Sequence, residues 1–253
     1  MSNIYAALEQ LQHSNRLGDN VGKMPLPGVG GIDKDVRDGK AYARQSFSSI
    51  LSHDMTSLSL SIDRLLPGKS QKTVMVIGAQ QGSGVSSVVC SMAKTAALQL
   101  GRRVLVLDAA TNNLSQHKFF ELSSPTDIAE HEKETGMECS RYSDTSLYVA
   151  SLPKKYFPPF SGKESSPSAL FEELKPMFDL IVIDASSVEV TSEQTLLSRY
   201  VDGVIIVVEA EKTKLDQAGT LIQQINANGG LILGAVFNKR RLHIPKVINN
   251  WCP

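Results

Sequence analysis

The sequence predicts an α/β fold: a doubly wound, mostly parallel sheet flanked by helices, with a helical extension at its N-terminus. Three observations predict it. From Lys72 onward, strongly apolar runs alternate with helical segments. Those runs are apolar at successive positions, as in strands covered by helices on both faces. Two of them end in aspartate and one ends in a glycine-bearing loop, which places polar groups at the sheet edge where ligands bind in such folds.

The elements follow in order. Ile4, Ala7, Leu8 and Leu11 share a helical face, so a short amphipathic helix opens the chain. GKMPLPGVGGIDKDVRDGK is rich in Gly and Pro and reads as a flexible linker. A second helical stretch runs from about Ala41 to Leu66 and is closed by Pro67-Gly68. These segments form an N-terminal helical unit, residues 1–70, ahead of an α/β domain at 71–253. In that domain the expected parallel strands include Val74–Ile77, Val104–Leu107, Leu180–Ile183, Val204–Val208 and Leu231–Val236. SLYVASL adds a shorter strand, and SSVVCSMAKTAALQL reads as the helix after the first.

Composition narrows the function classes. The 253 residues carry 26 basic and 26 acidic side chains, so the molecule as a whole has no electrostatic pull toward nucleic acid or anionic lipid. An apolar fraction of 42% is enough for a sizeable core. No apolar run approaches the roughly 20 residues that span a bilayer. MSNIYAALEQLQ lacks a signal-peptide core. Cys90, Cys139 and Cys252 show no metal-ligand spacing and read as thiols in a reducing compartment. The expectation is a cytoplasmic protein without a specific nucleic-acid partner.

The segment from Val74 to Val88 carries the most chemistry. It is a strand, a loop containing Gly82 and Gly84, then a helix. Glycines let a backbone curl until its N–H groups converge on phosphate oxygens, and the following helix adds its positive end. A phosphate loop ordinarily also has a lysine for the β- and γ-phosphates and a Ser or Thr for Mg²⁺. Ser86 holds the Mg²⁺ position here, and the lysine position is Val85. By itself the segment reads either as a phosphate loop or as a Gly-Ser turn. The context favours the loop. Asp108 closes the apolar strand Val104-Leu-Val-Leu, and Asp184 ends Leu180-Ile-Val-Ile. A carboxylate at the ligand edge of a buried strand can orient a metal-bound water or polarise a nucleophile. Each Asp alone is also readable as a helix or turn cap.

From about Lys72 to Arg241 the chain resembles the ParA/MinD-like P-loop ATPases. Within them it looks most like the bacterial tyrosine autokinases of capsule and exopolysaccharide synthesis. Gly82-Ser83-Gly84-Val85-Ser86 matches that family's phosphate-loop core. Asp108-Ala109-Ala110-Thr111-Asn112 matches its Asp-x-Asp-x-Arg motif, and Asp184-Ala185-Ser186-Ser187 matches an Asp, a small residue and two prolines. VDGVIIVVEAEKT and ILGAVFNKRR match its later strands. The resemblance implies ATP or ADP with Mg²⁺ as ligand. The nucleotide-contacting set is then Gly82, Ser83, Gly84, Val85, Ser86, Ser87 and Asn238, with Ser86 toward the metal and Asn238 toward the adenine. Asp108 and Asp184 are its catalytic candidates.

The departures point away from strong catalysis. The loop lysine is Val85, the ParA-type lysine falls at Gln80, and Ala110 replaces the second Asp. Asp54 to Leu60 aligns with the family's oligomerisation motif but lacks both arginines, and no Tyr follows Tyr200. No lysine near the loop can be picked out as a replacement, since Lys72 lies at the wrong end of its strand and Lys94 over two turns into the helix. The resemblance therefore implies an accessory or regulator of exopolysaccharide synthesis and export. Its implied partner is the cytoplasmic face of a membrane chain-length or export protein, which would hold it peripherally at the inner membrane, and a homo-oligomer is compatible with it. The alternatives are an active tyrosine autokinase or ATPase with an atypical loop, and a ParA-like positioning ATPase. The basic tail KRRLHIPKVINNW reads as a docking strip or as an exposed helix end. The polar stretch from Asn113 to Ser146 reads as a surface loop.

Overall fold

In the computed structural model, the residues described are 53–109, 120, 137, 139–157, 166–186 and 192–239. The expected N-terminal helix and linker lie outside them, as do Ala110 to Asn112, most of the polar loop, Ser187, and the tail from Arg240 on.

Seven strands form one sheet. β1 (Lys72–Gly78), β2 (Val104–Asp108), β4 (Leu147–Ser151), β5 (Leu180–Ala185), β6 (Gly203–Glu209) and β7 (Ile232–Asn238) are parallel to their neighbours, and β3 (Cys139–Arg141) pairs antiparallel with β4. The spatial order is β3-β4-β2-β5-β1-β6-β7. All five long strands expected from the sequence are present and parallel. β3 was not anticipated, because three residues of mixed polarity carry no periodic signal.

Helices cover both faces. A helix through residues 53–65 (α1) and α2 (Val85–Leu98) lie on one side. Met55, Ser59, Ile62 and Leu66 are buried at three- and four-residue intervals, the spacing of one helical face. Met55, Ile62 and Leu66 join Val88, Val89, Met92, Ala93 and Ala96 of α2 against Val74, Val76, Val104, Val106 and Val182. The alternate residues Met75, Ile77, Leu105, Leu107, Ile181 and Ile183 point to the other face. There they meet α3 (Pro167–Leu174), α4 (Ser192–Leu197) and α5 (Leu215–Ala227) through Leu170, Phe171, Leu197, Leu221 and Ile225. Period-two alternation thus feeds two cores from one set of strands. Each fully buried aliphatic side chain contributes about 1.5–3 kcal/mol. α1 lies ahead of the boundary expected at residue 70, yet it shares the core of the α/β body.

The topology also positions the site. From β1 the chain crosses to β2, leaving a slot that β5 later fills. It then returns to build β6 and β7 on the opposite side of β1. The order reverses around β1, and such a reversal leaves a crevice at the carboxyl ends of the strands.

Candidate functional site

β1 ends at Gly78, the chain turns through residues 79–84, and α2 begins at Val85. Two positions require glycine. Gly84 is the helix N-cap at φ 90°, and a Cβ there would lie 2.1 Å from Nδ2 of Asn238. Gly82 has φ 73° with open space around it, so only its backbone angle makes a demand. A third glycine allows close approach, since a Cβ on Gly78 would lie 2.3 Å from Ser83 Oγ. The result is a tight curl at the N-terminus of α2. It borders a cleft of about 330 Å³ lined by Gly78, Gln80, Gly82, Ser83, Gly84, Val85, Ser86, Ser87, Ala185, Ser186 and Lys239. That volume lies at the small end of ligand sites.

The cleft suits a phosphate on two observations. The hydroxyl of Ser83 is buried inside the curl and has no hydrogen-bond partner among the described residues. A buried unpaired hydroxyl is costly, and an oxyanion would satisfy it. The curl also leads directly into the N-terminus of α2, where a helix leaves its first N–H groups without intrahelical partners.

The structure brings Asp108 and Asp184 together. They occupy matching positions on the neighbouring strands β2 and β5, and both are buried. Ser186 then alters the surroundings of Asp184. Its N–H donates to Asp184 Oδ1 at 2.9 Å, and its hydroxyl lies 2.9 Å from that of Ser86. In the resembled family a proline stands at Ser186, and proline has neither of these groups. Here a serine ties the Ser86 hydroxyl to the end of β5, the strand that carries Asp184.

Val85 is 4% exposed and packs in the core with α2 and β1. It offers the cleft no polar side-chain group. Ser87 is exposed at the cleft.

A lysine that the sequence reading did not single out also reaches the cleft. Lys239, 157 positions beyond Gly82 in the chain, donates from Nζ to the Gly82 carbonyl at 2.5 Å. It arrives because β7 pairs with β6, which pairs with β1. Asn238 Nδ2 donates to the Ser83 carbonyl at 2.9 Å, while its Oδ1 accepts from Lys239 N–H at 2.9 Å. The Asn238 amide, expected toward the adenine, here clamps the loop. Glu209 sits behind Lys239, 3.4 Å from its Nζ and 3.3 Å from that of Lys212, and accepts from Gln80 at 3.4 Å. Desolvation pushes the Glu209 carboxyl up, but the hydrogen bonds and charges of Lys212 and Lys239 outweigh it and hold it below the usual range. The available signal was adjacency: Lys239 follows the one late residue already assigned to the nucleotide.

Comparison with known proteins places these features. No family model matches the chain. The tyrosine-protein kinase YwqD of Bacillus subtilis is 23% identical over 198 residues, covering 77% of this chain and 83% of the relative. The tyrosine-protein kinase CpsD of Streptococcus pneumoniae is 25% identical over 192 residues, covering 72% and 82%. The kinase domain of the Escherichia coli tyrosine kinase ETK superposes with a TM-score of 0.61 at 18% identity, over 76% of this chain and 77% of that one. The chain is thus similar to bacterial tyrosine-protein kinases. Its fold is also that of the septum site-determining protein MinD from Pyrococcus horikoshii, solved with Mg-ADP (TM-score 0.50, 15% identity, 71% and 76% covered). The chain thus has the ParA/MinD-like P-loop fold and carries Val85 where a phosphate loop ordinarily has lysine.

Proposed function

We propose that this protein binds ATP or ADP weakly and serves as an accessory or regulator of exopolysaccharide synthesis and export, with little or no phosphotransfer. One observation carries the reading. The backbone cradle from Gly82 to Ser86 is intact, whereas the side chains that would drive transfer are replaced or redirected: Val85 is in the core and Ser86 is held by Ser186. Backbone N–H groups can hold a phosphate whatever the side chains are. Phosphoryl transfer also needs stabilising charge, and losing such a group typically costs about 10²–10³ in rate.

When bound, the nucleotide would bring its phosphates to the loop backbone and Ser83 and its metal to Ser86, while Asn238 would brace the loop through the Ser83 carbonyl. Asp108 and Asp184, side by side at the ends of β2 and β5, would be the carboxylates available to orient a metal-bound water. The names of the relatives and the Mg-ADP complex of MinD support a nucleotide ligand and a kinase ancestry. Among the described residues no helix is long and apolar enough to cross a membrane. The proposed partner is the cytoplasmic face of a membrane chain-length or export protein, reached through residues 1–14 and the basic tail.

Two measurements test the reading. Calorimetry with ATP and ADP, with and without Mg²⁺, should show weak binding that depends only modestly on the metal. Incubation with Mg-ATP should yield no phosphotyrosine; strong autophosphorylation that disappears in Asp108→Ala would identify a working enzyme. That second reading, an active kinase or ATPase with an atypical loop, is favoured by one observation, the ammonium group of Lys239 at the cleft.

A further inference from the structure

We infer that Lys239, delivered from the end of β7, is the phosphate-binding cation of this site and replaces the lysine that the loop lacks. The inference rests on the reading of the cleft as a nucleotide site, and it names the residue that would hold the β-phosphate of a nucleoside di- or triphosphate.

The other lysines near these elements are committed elsewhere. Lys72, at the opposite end of β1, lies 3.1 Å from Asp63 and donates to the Lys69 carbonyl at 2.6 Å. Lys94 lies over the rings of Phe120 and Tyr142. Lys212 shares Glu209 with Lys239 but does not line the cleft. Among the described residues, Lys239 is the basic side chain that lines the cleft.

Its geometry suits an exchangeable ligand. An ammonium group has three donors. One of them engages the Gly82 carbonyl, and Glu209 lies at 3.4 Å, longer than a close charge-assisted bond. The side chain is 48% exposed, so an incoming anion can reach it. The residue itself is held in place. Its backbone has φ 57°, and its N–H donates to Asn238, which is bonded in turn to the Ser83 carbonyl. The ammonium group therefore reaches the curl of chain that holds the unpartnered Ser83 hydroxyl, beside the helix N-terminus at Gly84. A phosphate there would meet a cation, a hydroxyl and backbone N–H groups. It would also relieve the buried hydroxyl of its missing partner.

The test is calorimetry with ADP and with inorganic pyrophosphate on three full-length proteins: parent, Lys239→Asn, and Lys239→Asn combined with Val85→Lys. Asparagine is chosen because it tolerates the left-handed backbone at this position. Thermal melting checks that each variant is folded. Lys239→Asn should weaken both ligands about tenfold or more, the loss expected of one charge-assisted contact. The second substitution should restore binding, because it returns a cation to the usual position. Parent-like binding by Lys239→Asn would overturn the inference and leave the nucleotide reading standing. Lost binding that Val85→Lys does not restore would also overturn it, making Lys239 a latch on the loop instead of a ligand contact. A parent protein that binds neither ADP nor pyrophosphate would remove the nucleotide reading itself, and the inference with it.

Discussion

The two ends of β1 use charge in opposite ways. At the amino end, Asp63 of α1 accepts from Arg102 and lies 3.1 Å from Lys72, whose side chain is only 10% exposed. Nearby, Lys69 meets Asp202, which also accepts from the N–H of Thr73. These carboxylates are hydrogen-bonded, partly buried, and tie α1 and β6 to β1. At the carboxyl end the charges are looser. Lys239 is half exposed and bonds a carbonyl, with its carboxylate partner at 3.4 Å. Exposed pairs of this kind are worth about 0–1 kcal/mol. Fixed pairs suit assembly of the fold, whereas loose ones suit exchange with a ligand.

Three sets of substitutions can break or sharpen that contrast. The largest effect is expected within the loop itself. Gly84→Ala should lose about 2–3 kcal/mol, combining a left-handed backbone penalty with displacement of the Asn238 amide. Gly82→Ala carries only the backbone penalty, about 1–2 kcal/mol. Urea unfolding would compare the two, and equal losses would show that the Asn238 clamp contributes nothing.

Next comes the amino end. Asp63→Ala leaves Lys72 and Arg102 without their carboxylate and should cost about 2 kcal/mol, with ADP affinity of the folded protein unchanged. This site also sets a pH dependence. Burial pushes the Asp63 carboxyl up, but the hydrogen bonds and charges of Arg102 and Lys72 outweigh it and hold it below the ordinary range. A carboxyl depressed on folding stabilises fully above its unfolded pKa, about 4, and loses that contribution as pH falls through the folded value. Unfolding midpoints measured below about pH 4 should therefore fall less steeply in Asp63→Asn than in the parent.

The smallest effect belongs to Val85→Lys in the otherwise unchanged chain. Val85 is buried but borders the cleft, so a lysine stem can keep the apolar contacts while its head reaches solvent. Thermal melting should place it within about 1 kcal/mol of the parent. A large loss would mean that the valine serves the core and that the cleft edge is closed to longer side chains.

How much was legible differs between fold and site. The long strands could be read because Val104-Leu-Val-Leu and Leu180-Ile-Val-Ile are apolar without interruption, and burial on both faces leaves no other role for such runs. The loop could be read because Gly82 and Gly84 stand between a strand and a helix. That Asp108 and Asp184 each end a strand at the ligand edge could be read, whereas their adjacency depended on β5 filling the slot between β1 and β2. Ser186 could be read only as a lost proline. Its two hydrogen bonds became visible when Ser86 and Asp184 stood beside it.

By itself, then, the sequence determined the long strands, their parallel arrangement and a glycine-bearing loop of phosphate type without its lysine. These are local properties, set by side-chain periodicity and by the backbone freedom of glycine. Tertiary structure alone decided which charges meet. Lys239 and Gly82 are 157 residues apart, and only the placement of β7 beside β6, and of β6 beside β1, brings the ammonium group to the loop. Hydrogen-bonded contact acts over about 3 Å, whereas sequence separation carries no distance until strand order is known.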